Sequence, residues 1–127
     1  MKKDIKKILV DALIGIYLTE DGEPYKKTTK HLKDDTGFCC LGVLCDIQRR
    51  TTMGNKNWED EDEDGKFCYL GETEVLPSAV IKWAGFKSSN PIVGGNDLAW
   101  LNDEKIYGEK STLNSFEKIA GIINEHE

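Results

Sequence analysis

No apolar run in these 127 residues approaches the roughly 18 that a membrane-crossing helix needs, which excludes a helical membrane protein. Histidine is scarce, with only His31 and His126. No H-x-x-x-H pair or His–Asp cluster therefore occurs, and no metal is expected. Neither G-x-x-x-x-G-K-S/T nor G-x-G-x-x-G is present, so the usual glycine-rich phosphate cradles are missing and no cofactor is expected. Gly94-Gly95-Asn96-Asp97 has the form of an anion-binding turn, but a plain turn explains it as well. Internal repeats are absent. The basic start, Met1-Lys2-Lys3, is interrupted by Asp4 and followed by no A-x-A-like site, so no secretory signal is expected.

The length suits one domain, 1–127, able to bury a core without disulfides or a metal. Acidic residues outnumber basic ones by 23 to 17, giving −6. The whole excess lies in Glu59-Asp60-Glu61-Asp62-Glu63-Asp64, because without those six the balance is 17 to 17. Like charges repel and resist burial, so 54–66 reads as an acidic exposed loop containing Trp58. The sharper reading, a phosphate mimic, needs acids spread over a whole surface. The single basic cluster is Lys26, Lys27, Lys30, His31 and Lys33, which disfavours direct nucleic-acid binding.

Periodicity gives an α+β, helix-rich small domain of about four helices with two or three short strands. Ile5, Ile8, Leu9, Ala12, Leu13 and Ile16 predict an amphipathic helix over 5–16, with Asp4 as its cap and Gly15 as an early stop. Residues 28–32 suit a short strand. Residues 39–49 are apolar almost all round and predict a central buried helix, with Arg49-Arg50 well placed at its C-terminus. Gly42 inside it costs roughly 1 kcal/mol against Ala and marks close approach by another backbone. Residues 67–70 suit a strand. Pro77 opens a helix over 77–84 that Gly85 stops. Residues 86–97 read as loop, 97–101 as a helical turn ended by Asn102-Asp103, and 104–113 as polar. Asn114 or Ser115 caps a last helix with Phe116, Ile119, Ala120 and Ile123 on one face. Trp83 and Trp100 stand at core spacing.

Cys39, Cys40, Cys45 and Cys68 are expected to be reduced. Cys40-x4-Cys45 is a weak zinc pair with no second pair to complete it. Packing in the core accounts better for Cys45 and one of the adjacent pair. Cys40 opens a helix, as the nucleophile of papain-like cell-wall peptidases does, and a helix N-terminus favours a thiolate. The base such a mechanism needs is misplaced, since His31 lies upstream and His126 at the chain end.

Four segments form an ordered set: Phe38-Cys39-Cys40-Leu41-Gly42-Val43-Leu44-Cys45-Asp46; Leu76-Pro77 with Val80 and Trp83-Ala84-Gly85; Leu98-Ala99-Trp100-Leu101-Asn102-Asp103; and Ser115-Phe116 with Ile119-Ala120 and Ile122. The set resembles a family of small proteins encoded widely in tailed bacteriophages, whose members open with a helix ending in Gly-x-Tyr, as Gly15-Ile16-Tyr17 does. This chain departs in a longer 18–36 stretch without an Arg-rich segment, and in its acidic loop. The resemblance implies a phage accessory protein in the cytoplasm of an infected bacterium, serving host takeover or anti-defence.

The partner is expected to be either a host protein or a small anionic nucleotide-like ligand such as an immune signal. The acidic run favours a basic protein. The candidate ligand-binding residues Tyr17, Tyr25, Lys26, Lys27, Lys30, His31, Trp58, Asn102 and Asp103 favour an anion, with Trp58 free to stack on a base. A homo-oligomer is compatible with either. The expected function is non-enzymatic binding. The alternative is a cysteine-dependent hydrolase with Cys40 as nucleophile and His31 as base. A virion structural component is disfavoured for want of repeats or coiled-coil heptads.

Overall fold

The helix α2, Cys40–Thr51, runs through the middle of the molecule, and every residue from Cys40 to Gln48 is buried. The computed structural model describes residues 1–52, 57–61, 65–103 and 115–127. The described residues hold four other helices: α1 (Lys3–Leu13), α3 (Ser78–Ala84) and α4 (Leu98–Asp103), which pack on α2, and α5 (Phe116–His126), which packs on α1 and α4. A four-stranded antiparallel sheet has the order β2-β1-β4-β3, built from β1 (Lys33–Asp34), β2 (Gly37–Phe38), β3 (Trp58–Glu61) and β4 (Lys66–Tyr69). A second sheet is the hairpin β5 (Ile92–Val93) and β6 (Asn96–Asp97). The fold is α+β and helix-rich.

The close approach expected at Gly42 is present. A Cβ there would lie 1.7 Å from the Leu32 carbonyl oxygen, so the chain at Leu32 crosses α2 at a distance only glycine permits. That crossing is pinned by a hydrogen bond from Cys39 N to Leu32 O (3.0 Å) and another from Leu32 N to Thr73 O (2.7 Å).

Several boundaries differ from expectation. The first helix covers 3–13 rather than 5–16, with Lys2 at the cap position. Asp4 lies in its first turn and accepts from the Ile5 N–H at 3.0 Å. Gly15, at φ 85°, reverses the chain after Ile14, which leaves Ile16 exposed. Residues 28–32 do not form a strand. Lys27 forms only an isolated parallel bridge with Phe38, Lys30 takes φ 71°, which breaks an extended run, and the strand ladder starts at Lys33. Pro77 stands at the N-cap, one position before the expected place, and Gly85 stops the helix at φ 81°. Ser115 caps α5 by accepting from Lys118 N at 3.2 Å, whereas Asn114 falls outside the described residues.

Among the described residues the strands number six rather than two or three. Four of them are two-residue pieces, too short to leave an alternating pattern in sequence, and two of these lie within the expected 86–97 loop. The 54–66 loop is also corrected. Trp58–Glu61 is a strand pairing with β4 in the register Trp58↔Tyr69, Glu59↔Cys68, Asp60↔Phe67 and Glu61↔Lys66. Residues 54–56 and 62–64 lie outside the described residues, as does the polar 104–113 stretch. Trp83 packs half-buried against the core, but Trp100 is 47% exposed. In the short α4, Leu98, Leu101 and Asn102 take the inward side and leave Trp100 outside.

Gly42→Ala separates two opposed effects. Helix propensity alone predicts a gain of up to about 1 kcal/mol. The backbone clash with Leu32 outweighs it, and we expect a net loss of roughly 3 kcal/mol in urea unfolding. A stability equal to wild type would disprove the close crossing.

Candidate functional site

Helix α2 carries three polar residues, Asp46, Gln48 and Arg49, into or beside the core, and the site grows from how they are satisfied. Asp46 is 3% exposed. Its carboxylate accepts from the Tyr25 hydroxyl at 2.5 Å, the Trp58 indole Nε1–H at 3.0 Å and Arg49 Nε at 3.0 Å. Gln48 accepts from the Tyr69 hydroxyl. Arg49 also pairs with Glu20. Arg50 donates to the Leu18 carbonyl (2.6 Å) and to the Tyr25 hydroxyl (3.0 Å), and its guanidinium lies 4.6 Å from the Tyr17 ring centre. Burial, followed by the neighbouring Asp46 carboxylate, raises the Tyr25 phenol above its ordinary range, so it stays a donor.

These bonds line up Tyr25, Phe38, Trp58 and Tyr69 in an aromatic row with ring centres 5.0, 5.9 and 5.1 Å apart. Beside the row opens a cleft of about 400 Å³. Its walls carry six carboxylates (Glu20, Asp21, Glu23, Asp34, Asp35, Asp46) against three cations (Lys26, Lys33, Arg49). The cleft is therefore acidic by three charges. Burial opposes ionisation of Asp34, but hydrogen bonds from the Thr28 and Thr36 hydroxyls and from the Thr36 and Gly37 N–H groups outweigh it. Its pKa lies below the usual carboxylate range, and the charge is fixed there.

The expected ligand-binding residues fall into two groups. Tyr17, Tyr25 and Trp58 meet around the C-terminal half of α2, and Lys26 lines the acidic cleft. Trp58 is not a free stacking platform in a loop. It is half-buried in β3, with its N–H committed to Asp46. Tyr25 is likewise buried.

The second group lies at the other end of α2. Asn102 is fully buried: its Oδ1 accepts from Cys40 N (3.0 Å), and its Nδ2 donates to the Thr28 carbonyl and to Asp103 Oδ1 (2.9 Å each). Asp103 Oδ1 also accepts from Lys30 N at 3.0 Å. Asn102 is thus not merely a helix stop. It lies within α4 and ties the start of α2 to the 26–30 segment. The Lys27 ammonium and the His31 Nδ1 are buried, with no hydrogen-bond partner among the described residues. Desolvation lowers the Lys27 pKa, opposed by the charge of Asp103.

Cys40 does not have a nucleophile's surroundings. It is 1% exposed, and its thiol donates to the Leu98 carbonyl at 3.5 Å. Burial outweighs the helix N-terminus and drives its pKa well above the ordinary thiol value. The true N-cap is Cys39, whose sulfur accepts from Gly42 N at 3.3 Å and whose pKa burial pushes up to about 12. Cys45 and Cys68 are buried as well. Among the described residues no group of His, Cys, Asp or Glu has the arrangement of a metal site.

Asp46→Ala leaves the Tyr25 hydroxyl, the Trp58 indole N–H and Arg49 Nε without their acceptor. It should cost about 3 kcal/mol in urea unfolding, with Asp46→Asn milder. Loss of the downfield Trp58 indole N–H signal should accompany it, and an unmoved signal would refute the bond. Cys39, Cys40 and Cys45 should resist iodoacetamide at pH 8 until the protein is unfolded, counted by mass spectrometry. Rapid alkylation of Cys40 in the folded chain would restore the nucleophile reading.

No helix among the described residues is long and apolar enough to cross a membrane. No curated protein and no solved structure matches the sequence. Over residues 1–127 the sequence matches the family described as a domain of unknown function (DUF8296), and the chain belongs to that family.

Proposed function

We propose that this protein is a non-enzymatic bacteriophage accessory protein that works in the host cytoplasm by holding a basic segment of a host protein. The observation that carries the reading is the charge of the cleft beside the aromatic row, six carboxylates to three cations. Glu59 and Asp60, on the edge strand β3 of the same sheet, are exposed acids as well. Lysine and arginine side chains are attracted to such a field, and the attraction speeds encounter as well as holding the complex. A nucleotide-like anion fits the same cleft poorly. The lysines that would grip it are divided: Lys26 stands among carboxylates, Lys27 is buried, and Lys30 lies by Asp103. The buried, hydrogen-bonded thiols supply no nucleophile for the hydrolase alternative.

The test compares wild type with the double reversal Glu23→Lys/Asp35→Lys, both changes being at exposed positions of the cleft. A ten-residue lysine peptide should bind wild type with salt-sensitive affinity and bind the variant at least about tenfold more weakly. A host protein retained from bacterial lysate by wild type should be lost by the variant. Equal binding to both would overturn the reading, and a nucleotide-mass adduct in native mass spectrometry would replace it with the anion-binding one.

A further inference from the structure

The antiparallel register sets one face of the four-stranded sheet. Lys33 pairs with Phe38, and Asp34 pairs with Lys66, so Lys33 and Phe67 share that face. Phe67 stands opposite Asp60, two residues from Trp58, which brings Trp58 to the same face. The result is three aromatic rings around one ammonium. Lys33 Nζ lies 4.6 Å from the Phe67 ring centre, 5.2 Å from Phe38 and 5.5 Å from Trp58. All three distances fall inside the roughly 6 Å over which a ring face attracts a cation, and several rings about one centre are how proteins recognise alkylammonium groups.

Two of the three rings are held independently of their occupant. Trp58 is fixed by its hydrogen bond to Asp46 and by Tyr69, and Phe38 by its edge contacts with Tyr25 and Trp58. The occupant is held loosely. Among the described residues Lys33 makes no ion pair, although it lines a cleft with six carboxylates. Its four-carbon stem can leave the rings by bond rotation alone and remain within that acidic cleft.

We infer that Phe38, Trp58 and Phe67 form a cation-binding cage whose resident, Lys33, is displaced by a lysine side chain of the bound partner. The inference rests on the basic-partner reading above and names how one partner residue is gripped. Binding then exchanges one ammonium for another, so the wild-type cage is guarded and selects for a partner that also satisfies the cleft's carboxylates. An isolated lysine gains little from the exchange.

The probe is tetramethylammonium, with sodium at equal ionic strength as the control. In wild type, NMR should show the Lys33 side-chain methylene protons shifted upfield by the rings, and the probe should move them toward ordinary values. In Lys33→Ala the Trp58 indole signal should titrate at about tenfold lower probe concentration than in wild type. Phe67→Leu in the same background should abolish that response. The amide spectrum of each variant reports its fold, and the wild-type lysine shifts need no variant. Lys33 signals unmoved by the probe, or a Lys33→Ala response that sodium reproduces or that Phe67→Leu leaves intact, would overturn the cage. That failure with the charge-reversal effect intact would remove the cage and keep the acidic cleft. The opposite result would leave a cation cage and remove the basic partner.

Discussion

Helix α2 is buried on every side from Cys40 to Gln48, and each polar group it carries there must find a partner inside the protein. A buried donor or acceptor left alone costs about 1–3 kcal/mol, so the surrounding elements are placed by this demand as much as by apolar packing. At its start, Asn102 takes the Cys40 N–H and Cys39 takes that of Gly42. Toward its end, Tyr25, Trp58 and Arg49 serve Asp46, and Tyr69 serves Gln48. Residues far apart in the chain are thereby drawn to one helix. Gly42 admits the backbone of Leu32 against its side, which places the 26–34 segment and with it the inner strand β1.

The candidate site inherits its rigidity from this arrangement. The Trp58 ring stands where it does because its N–H is bound to a carboxylate on α2, and Phe38 and Tyr69 pack against it in turn. A wall fixed by buried hydrogen bonds loses little entropy on binding, whereas the lysine lying against it and the exposed acids around the cleft keep their freedom. Stability and recognition are thus divided between two sets of residues. Asp46 belongs to both, since it anchors the aromatic row and also lines the cleft.

The parts of the fold that are legible in the sequence are those with local causes. The apolar run of α2 marks a buried helix, and Gly42 inside it marks a crossing, because nothing else explains a glycine there. Gly85 and Ser115 end and begin helices through their own backbone and side-chain chemistry. Trp58 is hidden because its neighbours are acids, which point to solvent, while its burial depends on Asp46, 12 residues away. Asn102 is hidden for a similar reason: an Asn-Asp pair after an apolar turn signals a helix stop, and its partners Cys40 and Thr28 are 62 and 74 residues distant. The two-residue strands are made by pairing rather than by pattern. The Tyr, Lys and His cluster reads as one site because its members adjoin in sequence, but the divide falls between neighbours: Tyr25 and Lys26 serve Asp46 and the acidic cleft, whereas Lys27 lies beside Cys39, Cys40 and Asp103.

The acidic strand β3 bears on self-association. It is an edge of the four-stranded sheet, and among the described residues its outer side has no neighbouring strand. Such an edge is a template for pairing with a second copy. Two copies joined there in antiparallel fashion would set Glu59 and Asp60 of one against the same acids of the other, and like charges directly opposed destabilise a ladder. Charge repulsion therefore disfavours this edge as the seam of a homo-oligomer. A basic strand meets no such penalty at the same edge. The charge of this edge agrees in sign with that of the cleft, in line with the basic partner proposed above.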